Sequence, residues 1–186
     1  MLDVLKGTVS PSGKLADTIA RHIEDYPSHR NYGDDLRNFY AEDIYVGYRY
    51  FETFAQADVQ YPFGFGLSYT DFTRELLDQT ETADDITFTI NVTNVGTFHG
   101  KEVVQLYCAV PQGKLGKPAR GLCGFAKTSC LQPGDSEILT IVCSKYYLAS
   151  YDDSGITGNL YSYVLEAGAY NFISVIAYAR QRLPLQ

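Results

Sequence analysis

A chain of 186 residues, 45% of them hydrophobic, is long enough for one domain of ordinary size with an appendage and apolar enough to build its core. A formal net charge of −7, with the 15 Lys and Arg scattered rather than clustered, repels phosphate backbones; no nucleic-acid partner is expected, while an uncharged sugar is compatible with that balance. The sequence has no run of 18 apolar residues, and Met1–Lys6 lacks the regions of a signal peptide, so neither a membrane partner nor an export signal is expected.

Residues 1–24 hold a Pro11-Ser12-Gly13 turn followed by the short, moderately apolar stretch Lys14–Ala20. Residues 25–67 are crowded with tyrosine, phenylalanine, glycine and charge, and a brief helix fits only at about 34–41. Within them, Tyr45–Glu52 and Tyr61–Thr70 alternate aromatics with glycines too densely for an ordinary linker. Each of the rings Tyr61, Phe63, Phe65 and Tyr69 can bury a large area, and Gly64 and Gly66 permit approaches that a Cβ would forbid. Such a segment is pressed onto something, either as a cover on its own domain or as a strap joining two domains. The candidate site is therefore a domain-docking strap carried by Tyr48, Arg49, Tyr50, Phe51, Tyr61, Phe63, Phe65 and Tyr69. In it, the planar guanidinium of Arg49 can stack on a ring or grip a carboxylate.

From Ser68 onward the pattern is β. Ile86, Phe88, Ile90 and Val92 alternate with Thr87, Thr89, Asn91 and Thr93, the period of a strand with one buried face. The same reading gives strands near 71–77, 102–110, 119–126, 136–143, 160–166 and 169–178, with turn residues between them. The expected fold is all-β, an antiparallel β-sandwich behind an N-terminal extended strap. Its expected core includes Ile90, Val104, Leu106, Phe125, Ile141, Tyr170 and Phe172. Cys108, Cys123, Cys130 and Cys143 form no CxxC pair, and their spacing, like that of the three histidines, suits no metal. They read as buried free thiols, which favours a reducing, cytoplasmic compartment.

Ser10-Pro11-Ser12-Gly13-Lys14-Leu15, Asp25-Tyr26-Pro27, Ile44-Tyr45-Val46-Gly47-Tyr48-Arg49-Tyr50-Phe51 and Pro62-Phe63-Gly64-Phe65-Gly66-Leu67-Ser68-Tyr69 together resemble, in that order, the C-terminal part of family 3 glycoside hydrolases, the β-glucosidase and β-xylosidase group. Val92-Thr93-Asn94-Val95-Gly96, Gly100–Tyr107, Leu122-Cys123-Gly124-Phe125, Leu131-Gln132-Pro133-Gly134 and Leu165–Tyr170 resemble the fibronectin type III-like (immunoglobulin-like) domain that follows. The resemblance divides the chain into residues 1–24, the remnant of the end of an α/β sandwich domain; 25–67, the linker strap; and 68–186, the β-sandwich. It implies as partners the catalytic barrel and α/β sandwich domains of a parent glycosidase. Without a neighbouring domain, residues 1–24 are expected to be disordered, swapped onto another copy in self-association, or folded back on the sandwich. One departure is Leu160–Leu165, which stands where the family usually has a tryptophan-containing strand; another is a Gly-Ile-Thr-Gly insertion at 155–158.

Catalytic chemistry is not legible here. Retaining glycoside hydrolysis needs two carboxyls about 5 Å apart in a sugar pocket, and the resemblance implies that both lie outside the matched region. Glu42-Asp43 and Asp152-Asp153 read as exposed loop charges, and Asp152-Asp153-Ser154-Gly155 as a turn rather than a calcium loop. Gly64-Phe65-Gly66-Leu67-Ser68 is neither a dinucleotide fingerprint nor a nucleophile elbow. No cofactor and no metal are expected. Two functions compete: a non-catalytic accessory region that docks the sandwich onto the parent's catalytic domains, and an independent module that binds carbohydrate or protein through some of the 16 tyrosines, with no tryptophan to help.

Overall fold

The computed structural model describes residues 2–33, 36, 37, 39–176 and 179–183. In chain order come α1 (Leu2–Leu5), β1 (Ile19–Ala20), two short 3-10 turns, α2 (Tyr48–Phe54), β2 (Val59–Tyr61), β3 (Phe72–Glu81), β4 (Asp85–Asn94), β5 (Val103–Ala109), β6 (Gly121–Lys127), β7 (Ser136–Ser144), β8 (Ser150–Asp152), β9 (Ser162–Val164), β10 (Asn171–Ile176) and β11 (Ala179–Leu183). Residues 34, 35 and 38 of the helix expected at 34–41, and residues 177 and 178 of the last expected strand, lie outside the described residues.

An antiparallel three-stranded sheet, β3-β4-β7, faces a four-stranded one, β11-β10-β5-β6. The alternation in β4 does what its sequence predicts: Ile86, Phe88, Ile90 and Val92 are buried, while the threonines between them turn to the other face. Beside them in the same sheet lie Leu139, Ile141 and Cys143 of β7, and from the facing sheet come Val104, Leu106 and Cys108 of β5 and Phe172 of β10, whose ring centroid lies 4.9 Å from that of Phe88. Each such fully buried side chain contributes roughly 1.5–3 kcal/mol by transfer from water. The fold is an all-β sandwich.

Four expectations about burial need correction. Phe125 is 68% exposed, not in the core. The cause is a β-bulge: Leu106 pairs with Gly124 and Tyr107 with Leu122, so Cys123 is the extra residue and Phe125 pairs with outward-facing Gln105. A one-residue shift moves a side chain to the other face of the sheet. The same bulge leaves Cys123 only partly buried against the core, and Cys130 lies exposed beyond the end of β6, so only Cys108 and Cys143 are buried thiols. Asp152 is fully buried rather than an exposed loop charge. Tyr170 packs against the core only partly buried, and the strand expected at 160–166 contracts to β9.

Residues 2–24 fold back on the rest of the chain. β1 pairs with β2, the Leu15 N–H donates to the Phe65 carbonyl and the Gly64 N–H to the Leu15 carbonyl, and Lys14 and Arg74 both pair with the buried carboxylate of Glu102. Glycine is required at two close approaches. A Cβ on Gly64, where φ is +81°, would lie 2.2 Å from Gln105 Oε1, and one on Gly66 would lie 2.5 Å from the Gly13 carbonyl oxygen.

Candidate functional site: the strap and its cleft

α2 lays the strap across the outer face of β5 and β6. Gly47 opens the helix with φ of +59°, and Phe51, 1% exposed, is its buried anchor, with the rings of Tyr26 and Tyr50 edge-on at 5.6 and 5.3 Å. Tyr48 sits 4.7 Å from Phe63 and 5.9 Å from Tyr107, and its hydroxyl accepts a 2.8 Å hydrogen bond from the Leu122 N–H. Tyr107 points away from the sandwich core and is nonetheless 1% exposed, because the strap covers it; that burial pushes its phenol well above the ordinary value.

Polar groups lock the same contact. Nε and Nη2 of Arg120 donate to the two carboxylate oxygens of Glu52, and the guanidinium lies 4.9 Å over the Tyr107 ring. Burial works against the charge on Arg120, but the Glu52 hydrogen bond and charge outweigh it and hold its pKa above the ordinary value. The Ala119 N–H donates to Thr53 Oγ1 at 2.9 Å. At the joint between strap and sandwich, buried Asn94 receives the Thr70 hydroxyl at 2.6 Å and donates to the carbonyls of Phe98 and Leu131.

The eight candidate strap residues therefore divide. Tyr48 and Phe63 pack on Tyr107 of the protein's own sandwich, Phe51 is buried against Tyr26 and Tyr50, and Tyr50 lies half-buried beside Phe54. Tyr61 and Tyr69 are exposed; Phe65 lies half-buried 4.9 Å from Tyr61, and the Tyr69 hydroxyl donates to the Val4 carbonyl. Arg49 is exposed, and the guanidinium that grips a carboxylate and covers a ring is that of Arg120. Sequence reasoning missed Arg120 and Glu52 because 68 residues separate them; only the packing of α2 brings them together.

Between the strap, the β5–β6 connection and the segment running into β8 and β9 lies an open cleft of about 550 Å³, lined in part by Tyr45, Arg49, Lys117, Tyr147, Tyr151 and Tyr163. Lys117 Nζ is bound to Glu166 and, at 3.0 Å, to the Pro111 carbonyl. The Glu166 carboxyl, held by Lys117 first and by the Lys114 N–H at 2.6 Å, sits below the usual carboxylate range. Asp152 organises the opposite wall, accepting from the N–H groups of Ser154, Gly155, Ile156 and Thr157 and from the Ser154 and Thr157 hydroxyls. The Thr157 hydroxyl is the leading cause that holds its pKa well below the usual range.

Residues 1–69 match the model of the glycosyl hydrolase family 3 C-terminal domain, and residues 102–174 match that of the fibronectin type III-like domain. The chain carries the C-terminal region of family 3 glycoside hydrolases. This family 3 region is 54% identical over 169 residues to a β-glucosidase of Ruminococcus albus, covering 91% of the chain and 18% of the relative. It is 49% identical over 187 residues to β-glucosidase A of Butyrivibrio fibrisolvens, covering 91% and 22%. The crystal structure of a β-glucosidase from Paenibacillus barengoltzii superposes with a TM-score of 0.95 at 53% identity, over 98% of this chain and 20% of that one. The family 3 region thus spans about a fifth of the length of these relatives. The family match that ends at Tyr69 takes in the whole strap, and the second match takes in β5 to β9.

Proposed function

We propose that this chain is the non-catalytic C-terminal accessory region of a β-glucosidase-type family 3 enzyme, and that it docks the β-sandwich onto the catalytic domains of its parent. In this reading residues 1–24 are the end of an α/β sandwich domain, 25–67 the linking strap and 68–186 the accessory sandwich. The observation that carries it is the two-sidedness of the strap. Its inner rings Tyr48 and Phe63 are committed to the sandwich through Tyr107 and Phe51 is buried, while Val46, Phe54, Tyr61, Leu67 and Tyr69 of the same segment stay exposed. Exposed apolar side chains gathered on one short segment mark an interaction surface. Because relatives about five times longer share this region, the catalytic domains are the partner the reading names.

The test mixes the purified chain with the part of the Ruminococcus albus β-glucosidase that lies outside the matched region and measures association by calorimetry. Binding at or below about 10 µM, weakened at least tenfold by Tyr61→Ser with Leu67→Ser, is the expected result. The chain alone should leave aryl β-glucosides unhydrolysed, since positioned carboxyl pairs carry that chemistry. No association, or association indifferent to both substitutions, refutes the docking; turnover that depends on one of the chain's own carboxylates refutes the non-catalytic assignment.

A further inference from the structure

The cleft between the strap and the β8–β9 ribbon is used by nothing in the docking proposal, and its chemistry is specific. Tyr151 of β8 and Tyr163 of β9 are directly opposite in the antiparallel register, so their side chains leave the ribbon on the same face, with ring centroids 5.2 Å apart and planes tilted by 59°. Tyr146 lies a further 5.0 Å from Tyr163, and Tyr147, 76% exposed, stands beside it. These rings are solvent-facing in a strand pair too short to need a hydrophobic cover.

The platform is rigid for a reason visible in the chain. Asp152 lies between Tyr151 and Asp153 and therefore points to the other face, where its carboxylate binds the 154–157 loop through backbone and hydroxyl donors. That network fixes the ribbon from behind while leaving its tyrosine face free. Across the cleft, Tyr45 closes the wall, with its hydroxyl so near Gly116 that a Cβ there would sit 3.2 Å away.

Charge then narrows the ligand. Asp43 and Asp153 stand with Arg49 around the lining, and the buried Lys117 ammonium is already neutralised by Glu166 and bound to the Pro111 carbonyl. An anionic ligand finds no net positive field, and a purely apolar one would strip water from these charges. A neutral molecule with apolar faces and a rim of hydroxyls meets both demands, the faces on the rings and the hydroxyls on the charged and phenolic groups. The volume of about 550 Å³ lies inside the range of small-molecule sites.

We infer that this cleft binds a short neutral oligosaccharide by stacking pyranose faces on Tyr151 and Tyr163. The site is separate from the outward-facing strap residues Tyr61 and Leu67, so the two proposals stand or fall independently.

Because the chain has no tryptophan, its intrinsic fluorescence is that of its 16 tyrosines, the platform rings among them. The experiment titrates the chain with cellotetraose and, separately, laminaritetraose. Saturation with a Kd at or below about 1 mM is expected for at least one of them. Tyr151→Ala with Tyr163→Ala should weaken it at least about tenfold, Tyr163→Phe, which keeps the ring, by no more than about twofold, and Tyr61→Ser with Leu67→Ser not at all. Should the double alanine variant lose its circular-dichroism signature, Tyr147→Ala on the exposed turn carries the same expectation of weakening. The proposal is overturned if neither tetrasaccharide saturates by about 10 mM, if the ring-deleted variants bind as well as the parent, or if anionic tetragalacturonate binds more tightly than either neutral sugar.

Discussion

Glu52→Gln tests whether the strap is an integral part of the fold. The substitution keeps the shape of the side chain but removes the charge that faces Arg120. In the folded protein these side chains are only 13% and 20% exposed, and two charge-assisted hydrogen bonds join them. Hydrogen bonds to charged groups contribute about 1.5–3 kcal/mol, and stripping one partner from a fully buried pair costs about 3–5 kcal/mol. Partial exposure of both side chains places Glu52→Gln near the low end, at about 2 kcal/mol. The guanidinium keeps its seat over Tyr107, which retains roughly 0.5–1 kcal/mol of that contact. Urea unfolding followed by tyrosine fluorescence supplies the number, and a double-mutant cycle with Arg120→Met supplies the coupling. The double variant should recover part of the loss, since no uncompensated charge is left behind. Single variants within about 0.5 kcal/mol of the parent, or strictly additive losses, would show that the ion pair does not hold the strap.

Phe172→Ala removes a fully buried ring packed on Phe88 and should cost about 3–5 kcal/mol, whereas Phe125→Ala on the exposed face should stay within about 0.5 kcal/mol; equal losses by thermal unfolding would contradict the bulge. A thiol reagent should label Cys130 readily in the native protein, and Cys108 and Cys143 only after denaturation. Burial pushes the Cys108 thiol up to about 12, so mass spectrometry that finds native labelling there is the contrary outcome. Asp152 has a depressed folded pKa, so its contribution is complete above the ordinary Asp value of about 4 and is lost as pH falls through the lower folded value. Asp152→Asn should be less stable than the parent at neutral pH and should flatten the acid limb of the stability curve below about pH 4; an unchanged acid limb would mean the loop is held by other groups.

The sandwich was legible because β4 writes its two faces in strict alternation and because turn residues separate the strands. The strap was legible as a packed segment from its rings and glycines, yet which rings face inward depends on Tyr107, a residue whose place in β5 reads as the solvent face. Phe125 was misplaced because a bulge has no periodic signature; the extra residue, Cys123, is as apolar as its neighbours. Asp152 read as a surface charge because four of its six donors are the backbone N–H groups of Ser154, Gly155, Ile156 and Thr157, a pattern set by loop conformation and joined by the Ser154 and Thr157 hydroxyls only once the loop has formed. The tyrosine face of β8 and β9 was not legible because only the antiparallel pairing sets Tyr163 opposite Tyr151, while Tyr161 leaves the ladder with a φ of +59°.

Bulges in two edge strands of the sandwich have a consequence for how the protein behaves at high concentration. One interrupts β6 at Cys123; the other lies in β3, where Leu77 is the extra residue between the Leu76–Ile90 and Asp78–Thr89 pairs. Both strands are outermost in their sheets, where unpaired N–H and C=O groups form a template for a strand from another molecule. A straight incoming strand would lose register at each kink after a few residues. Two of the four open borders of the sandwich are thereby made poor seeds for intermolecular β-pairing, in a chain whose exposed strap already brings apolar side chains into water.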